Sequence, residues 1–214
     1  MIDLYTWATP NGKKISIALE ELELPYRVHK VDIGRGDQHT AEFTQISPNQ
    51  KIPAIVDEET GFTLMESGAI LLYLANKSGK LIPEDPEAYW SVVQWLMWQK
   101  AGFGPMLGQA HHFIKFNPGK SEYSEDRYGK ETRRLYSVLD RQLESSDYIA
   151  GDEYTIADIA AWPWAARFGF QGIDLNDFPN VLAWYLAVAG RPAVKAGWAV
   201  PIPEEVPLPE PFDD

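Results

Sequence analysis

Apolar and polar positions change period several times in the first eighty residues, and each change predicts an element. Residues 2–5 form a short apolar-rich strand. After Asn11-Gly12 the apolar positions Ile15, Ala18, Leu19 and Leu22 recur at i, i+3, i+4 and i+7, the stripe of a helix that Pro25 ends. Residues 26–31 read as a second strand, 39–45 as a short helix and 54–56 as a third strand. Thr60-Gly61 supplies a hairpin turn into a fourth strand at 62–65, and a helix follows from Ser67 to about residue 77. The predicted order is βαβαββα. From residue 87 the period is helical: 89–99 lies in a long helix, 124–143 in another, and 180–189 in a late one. Thr155-Ile156-Ala157-Asp158 has the spacing of a capping box, in which Thr155 caps a helix and Asp158 reaches back to its backbone N–H. Replacing either residue with Ala is expected to cost about 1 kcal/mol or more. The pattern divides the chain into an α/β domain at 1–80, a linker at 81–86 with Pro83 and Pro86, an all-helical domain at 87–200, and a tail at 201–214.

Composition narrows the class. The chain has 214 residues, 45% of them apolar, with 8 Trp, 10 Tyr and 9 Phe, which is ample for a packed core. Its formal net charge of −12 and the lack of a basic run argue against nucleic acid as a partner. The tail carries five acidic residues and no basic one, and reads as solvated coil. No apolar run approaches a membrane span, and Met1 leads straight into strand-like residues, so the expected location is the cytoplasm with no membrane partner. There is no cysteine. That excludes a disulfide framework, a thiolate metal site, a Cys-x-x-Cys redox pair and a cysteine nucleophile. It leaves open redox chemistry in which a ligand brings the sulfur.

Two short segments carry candidate chemistry. Ser47-Pro48-Asn49-Gln50-Lys51-Ile52-Pro53 precedes the apolar run at 54–56, and Glu66-Ser67 opens a helix. A proline at a strand entrance cannot donate to a ladder, so the Ile52 backbone is left to pair with an extended ligand. At Glu66-Ser67 a ligand would meet free backbone N–H groups, a hydroxyl and the positive end of a helix dipole, which suit a carboxylate, while Glu66 suits an ammonium group. An α-amino acid end joined to an extended backbone describes a small peptide. Taken singly, Ser-Pro and Glu-Ser also serve as ordinary turn and cap residues.

These segments, the βαβαββα order and the capping box at Thr155 together resemble the glutathione transferases, with an α/β thioredoxin-like N-terminal domain followed by an all-α C-terminal domain. Thr9-Pro10-Asn11-Gly12-Lys13-Lys14 offers Thr9 and Asn11 where conventional classes carry a Tyr, Ser or Cys. This feature, with Gly104-Pro105-Met106-Leu107-Gly108-Gln109 and His111-His112-Phe113, is similar to the bacterial Nu class of disulfide-bond reductases and to the Ure2-like group. The resemblance implies a cis proline at Ile52-Pro53. It implies that Thr9 and Asn11 lie by the glutathione sulfur, that Gln38 and Lys51 approach the glycyl end, and that the Ile52 backbone pairs with the cysteinyl unit. Glu66 and Ser67 would hold the γ-glutamyl end, and Arg127 would come from the helical domain. A homodimer is also implied. From the residues alone, Asn11 could merely cap its helix, Gln38 could be a loop residue, and Lys51 and Arg127 could be solvated charges, Arg127 reaching Glu131 at i+4. Tyr5, within the first strand, reads as a packing residue rather than the tyrosine of a conventional class.

Magnitudes bear on the mechanism. Lowering a thiol pKa from about 8.5 to about 6.5 raises the thiolate fraction at pH 7 about 24-fold. Nucleophilicity falls roughly 6- to 10-fold over the same interval, so the net gain is only about 2- to 4-fold. Holding two sulfurs in line contributes far more through effective molarity. For a chain without cysteine, this favours two glutathione units in one site, as the Nu class implies. The expected function is a glutathione-dependent disulfide-bond oxidoreductase acting on a small disulfide and binding glutathione or glutathione disulfide, with weak peroxidase or conjugating activity compatible with the same site. The alternatives are a conventional transferase acting on apolar electrophiles and a non-enzymatic binding or regulatory module on the same fold. No metal is expected: His111 and His112 are adjacent and point about 100 degrees apart on a helix. Trp90, Trp95, Trp98, Phe103 and Phe113 could line an acceptor pocket or fill the core.

Overall fold

The computed structural model describes residues 1–210. In chain order the elements are β1 (Ile2–Thr6), α1 (Pro10–Glu21), β2 (Tyr26–Lys30), α2 (Ala41–Ile46), β3 (Ala54–Asp57), β4 (Phe62–Met65) and α3 (Ser67–Ser78). There follow α4 (Pro86–Trp98), α5 (Gly104–Ala110), α6 (Glu122–Leu143), α7 (Ile156–Ala165), α8 (Pro179–Ala189) and α9 (Pro192–Trp198). The chain forms two compact units. One comprises Met1–Ile82 with Gly190–Val206, the other Pro83–Ala189 with residues 207–210.

In the first unit four strands form one sheet in the order β2-β1-β3-β4, β1 and β2 parallel and the other pairs antiparallel. Alternation sets the faces of β1, since Ile2, Leu4 and Thr6 are buried while Asp3 and Tyr5 point the other way. Thr40 caps α2 by accepting the Phe43 N–H at 3.3 Å, and Phe43 forms a small core with Val31 and Ala54, against which Tyr5, Ile46, Ile52 and Met65 pack. Thr60-Gly61 makes the predicted turn, with the Gly61 N–H donating to Asp57 at 2.8 Å and Gly61 at φ 71°. Asp57 is buried at its edge. Burial would raise its pKa, but bonds from the Tyr73 hydroxyl, the Lys77 ammonium and the Glu59 N–H prevail and hold it at about 2.

In the second unit α6 buries Thr132, Leu135, Tyr136, Leu139 and Leu143, a continuous stripe at helical spacing. From α4 to Phe116 the chain stays helical, but two π-helical stretches, Gln99–Phe103 and His111–Phe116, flank α5. Pro105 supplies a reason for the first: it has no N–H to give, and its ring would crowd the carbonyl four residues earlier on an α path. Gly104 and Gly108 lie against the Trp164 ring, where an added Cβ would come within 3.3 Å. The capping box is formed, as Thr155 accepts the Ala157 N–H at 3.2 Å and Asp158 accepts the Thr155 N–H at 2.9 Å.

Three expectations need correction. Residues 190–200, assigned to the helical domain from the sequence, belong to the first unit because α9 packs on α1. The helix expected at 39–45 is a 3-10 turn at Asp37–His39 followed by α2, separated by the extended Thr40. The tail is not solvated throughout. Pro201 is buried, the Trp198 indole donates to the Glu205 carbonyl at 3.0 Å, and the Tyr185 hydroxyl donates to the Pro207 carbonyl at 2.5 Å. These residues carry no regular secondary structure, and a periodicity argument has nothing to detect in them. Residues 211–214 of the expected tail lie outside the described residues.

Candidate active site

Register assembles the site. β1 runs antiparallel to β3 with Tyr5 opposite Ala54, and β3 runs antiparallel to β4 with Ala54 opposite Met65. The exit of β1 and the exit of β4 therefore flank the entrance of β3. β2, parallel to β1 with Thr6 opposite Lys30, leaves the sheet at the same end. Four connections thus converge there, carrying Thr9 and Asn11, Gln38, Lys51 and Ile52, and Glu66 and Ser67. Seven of the eight residues expected from the sequence share one end of one sheet. The eighth, Arg127, lies on α6 of the second unit.

Thr9 is the N-cap of α1, with its side-chain oxygen accepting the Gly12 N–H at 3.2 Å. The oxygen serves the helix, and the hydroxyl proton remains to be given elsewhere. Pro10 at the first helical position has no N–H, and Asn11 follows it half-buried. The Ile52-Pro53 bond is cis, and Ile52 lies outside the ladder that begins at Ala54. Ser47 fixes the approach to it: its buried hydroxyl donates to the Lys51 carbonyl at 2.9 Å and touches the Met65 sulfur at 3.8 Å. Lys51 itself is exposed.

Glu66 stands at the N-cap position of α3 with φ 70° and ψ 111°, and its side chain makes no cap bond. A non-glycine residue at positive φ is a local cost of about 1 to 3 kcal/mol, and such residues concentrate at ligand sites. Gln50, just before Lys51, also has positive φ, at 54°. Ser67 is buried to 2% exposure at the first position of α3.

Sequence reasoning missed a polar chain beside these residues. The Gln38 amide approaches His39 Nε2 at 3.1 Å, His39 Nδ1 meets Gln50 Oε1 at 2.7 Å, and the Gln50 amide donates to Thr44 Oγ1 at 3.2 Å. This pattern assigns the His39 proton to Nδ1. The Gln38 Oε1 atom is buried and has no partner among the described residues, so the chain ends in an open acceptor. Only the fold brings His39 and Gln50 together, and no spacing in the sequence signals it.

Tyr5 packs as expected. Its ring stacks on His29 with centroids 4.4 Å apart and tilts against Phe43. Burial, and after it the Asp3 carboxylate, raises the phenol pKa above its ordinary value, opposite to what an ionising phenol would need.

In the second unit Arg127 is exposed and has no salt-bridge partner among the described residues, whereas Lys130 pairs with Asp126 and Arg134 with Glu131. It lines a recess of about 570 Å³ with Met106, Tyr123 and Tyr128. His111 is buried. Its Nε2 lies 3.0 Å from the Gln171 amide, its ring stacks on Trp164, and burial followed by the Arg167 charge lowers its pKa to about 4. It is a neutral structural imidazole. Among the described residues no group of three or more His, Cys, Asp or Glu side chains could hold a metal ion. The aromatic set divides too, with Phe103 fully buried and Trp90 66% exposed.

Comparison with known proteins bears on the family and the fold. The model of the glutathione S-transferase N-terminal domain matches residues 1–76 and that of the C-terminal domain matches residues 103–192. The disulfide-bond oxidoreductase YfcG of Escherichia coli (strain K12) is 50% identical over 198 residues, covering 90% of this chain and 92% of its own. A glutathione transferase from Burkholderia graminis, solved with two glutathione molecules per subunit, superposes with a TM-score of 0.89 at 44% identity, covering 94% of this chain and 88% of its own. A glutathione transferase from Pseudomonas putida, solved with one glutathione disulfide per subunit, gives 0.87 at 41% identity over 94% and 91% of the two chains. With both domains matched and the first unit's segments meeting at one sheet end, the chain belongs to the glutathione S-transferase family, and within it resembles the bacterial disulfide-bond oxidoreductases.

Proposed function

We propose that this protein is a glutathione-dependent disulfide-bond oxidoreductase that uses the thiols of bound glutathione in place of any cysteine of its own. The observation that carries this reading is the Thr9 hydroxyl: its oxygen caps α1 while its proton has no acceptor among the described residues, at the sheet end where a peptide ligand has its partners. A thiolate is an acceptor for that proton, and Asn11 and the N-terminal end of α1 add to the same polarity.

The remaining roles follow the chemistry of the tripeptide. Ile52, outside the ladder, pairs with the cysteinyl backbone. Glu66 receives the ammonium of the γ-glutamyl end, and Ser67 with the start of α3 receives its carboxylate. Gln38, whose buried oxygen lacks a partner, accepts from the glycyl end, and Lys51 offers its carboxylate a cation. Arg127 is assigned to glutathione through the family resemblance alone.

The reaction balances without an outside oxidant. One glutathione thiolate attacks the substrate disulfide, the glutathionyl–sulfur bond forms as the substrate bond breaks, and the leaving thiolate takes the proton given up by that glutathione. A second glutathione, similarly deprotonated, attacks the mixed disulfide and releases the other thiol with glutathione disulfide. The relatives solved with two glutathiones or with glutathione disulfide match the two ends of this sequence. A supply of reduced glutathione is required, consistent with the cytoplasm.

Activity toward 2-hydroxyethyl disulfide and toward a chloronitrobenzene, each with glutathione, tests the reading. Reduction of the disulfide with little conjugation is expected. The reverse preference makes the protein a conventional transferase, and activity on neither makes it a binding module.

A homodimer completes the proposal. In the second unit Trp90, Gln94, Met97, Ala101, Pro105 and Gln109 are exposed in a line along the helical stretch from α4 through α5, with no charged residue among them. A second copy is a fitting cover for such a stripe. Sedimentation that finds a monomer at micromolar concentration would remove this part.

A further inference from the structure

The first turns of α1 contain two lysines, Lys13 and Lys14, with 0% and 1% exposure. Lysine is almost never fully buried without partners, because an ammonium taken from water costs several kcal/mol unless it is bonded. The partners of Lys13 are specific. Its ammonium donates to the Trp198 carbonyl, lies 3.4 Å from Glu204 Oε2 and sits 5.1 Å above the Trp198 ring. Its backbone N–H donates to the Thr9 carbonyl at 3.0 Å, closing the turn that Thr9 caps. One residue therefore joins the Thr9 turn to a chain segment almost two hundred positions away.

That segment is itself fixed. Ser16 donates to the Gly197 carbonyl at 2.7 Å, and Arg191 makes two bonds to Glu21 at 2.6 and 2.8 Å. α9 approaches α1 so closely that a Cβ at Gly197 would lie 2.5 Å from the Ile17 backbone, which only glycine avoids. On the other side, a Cβ at Gly12 would lie 2.2 Å from the Trp7 carbonyl oxygen at the exit of β1. The start of α1 is thus held between the sheet and residues 197–205.

We propose that Lys13 is a positioning residue for the reaction. By tying the Thr9 turn to Trp198 and Glu204 it sets where the Thr9 hydroxyl and the Asn11 amide stand against the bound sulfur, so residues 197–205 govern the chemical step. This rests on the reading of Thr9 and Asn11 as sulfur partners. A displacement of about 1 Å in such groups can cost about a hundredfold in rate, whereas Ile52, Glu66 and Ser67, which are not on α1, would still hold the peptide.

The test uses Lys13→Met, which keeps the apolar stem and removes the charge. Turnover with 2-hydroxyethyl disulfide, glutathione affinity by calorimetry and melting temperature are measured together. The expected result is a kcat at least tenfold lower with glutathione Kd changed less than threefold. A folded Lys13→Met protein whose kcat stays within twofold overturns the proposal, even with a lowered melting temperature, since a merely structural role predicts that outcome. If Lys13→Met does not fold, Glu204→Gln decides: a three- to tenfold loss of kcat at unchanged Kd supports the clamp, and unchanged kcat overturns it. The paired variant Thr9→Ala with Asn11→Ala separates the two ideas. If it keeps full turnover, the sulfur-site reading has failed whatever Lys13 does, and positioning through those two residues fails with it.

Discussion

Two helix starts in this molecule differ in where they place their acidic residue. At α7 every role is filled: Asp158 is fully buried and accepts bonds from the Thr155 N–H and hydroxyl, the Ile149 N–H and the Trp184 indole at 2.9 to 3.3 Å. Burial raises its pKa, and those bonds counter part of the rise. At α3 the residue in the cap position, Glu66, is exposed, holds positive φ and makes no cap bond with its side chain. Both are acidic residues at a helix start. The first arrangement turns its carboxylate inward onto the fold, and the second places a carboxylate and a positive-φ backbone at the surface.

The largest effect that separates the two is expected at Asp158. Asp158→Ala would leave several buried donors without an acceptor and should lower unfolding free energy by about 3 to 5 kcal/mol, with activity per folded molecule preserved. Chemical denaturation alongside turnover checks this. Lost activity in the folded fraction would erase the contrast.

Next comes the start of α1, where the cap and the proposed sulfur partner coincide in Thr9. Thr9→Ala combined with Asn11→Ala should cut disulfide reductase turnover tenfold or more, about 1.4 kcal/mol in the barrier, while glutathione still binds. Tyr5→Phe should leave turnover within about twofold, given that Tyr5 is stacked on His29. Collapse in Tyr5→Phe with little loss in the double variant would return the protein to a tyrosine-type transferase.

At Glu66 stability and binding should move in opposite directions. Glu66→Gly relieves a positive φ and should raise stability by up to about 1 kcal/mol, yet glutathione affinity should fall by about 1 to 3 kcal/mol through loss of the ammonium's partner. Ser67→Ala should weaken binding by a similar amount. Calorimetry showing unchanged affinity in both variants would remove the γ-glutamyl pocket.

The last expected effect is on the acid limb of stability and appears only below about pH 4. Asp57 has a folded pKa of about 2, below its value in the unfolded chain. Its contribution is complete above the unfolded pKa near 4 and is lost as pH falls from about 4 to 2. Asp57→Asn should flatten stability across that window, and an unchanged acid limb would show that the Tyr73 and Lys77 bonds contribute little.

Much of this was legible because the signals are local. The strand beginning at Ile2, the turn at Thr60-Gly61, and Thr155 three residues before Asp158 each depend on a few neighbouring side chains, and each formed as read. Glu66-Ser67 at a helix start and Ile52 before a strand are of the same kind. The burial of Lys13 and Lys14 was not legible, since a lysine pair beside an apolar stripe normally reads as a solvated face. Nor was α9, a seven-residue helix whose partner is α1.

The sequence by itself determined the βαβαββα order, the capping box at Thr155, the absence of a protein thiol and the chemical character of the candidate ligand segments, because those follow from composition and from spacing within one turn or strand, whereas the cap of α1 proved to be Thr9 and not Asn11. Only the tertiary structure decided that β1, β3 and β4 place Thr9, Ile52 and Glu66 at one sheet end, that His39 links Gln38 to Gln50, and that Trp198 and Glu204 receive Lys13. The reason is physical. Strand register and the burial of a charge are fixed by partners distant along the chain, and a contact spanning 185 residues leaves no periodicity in the residues between.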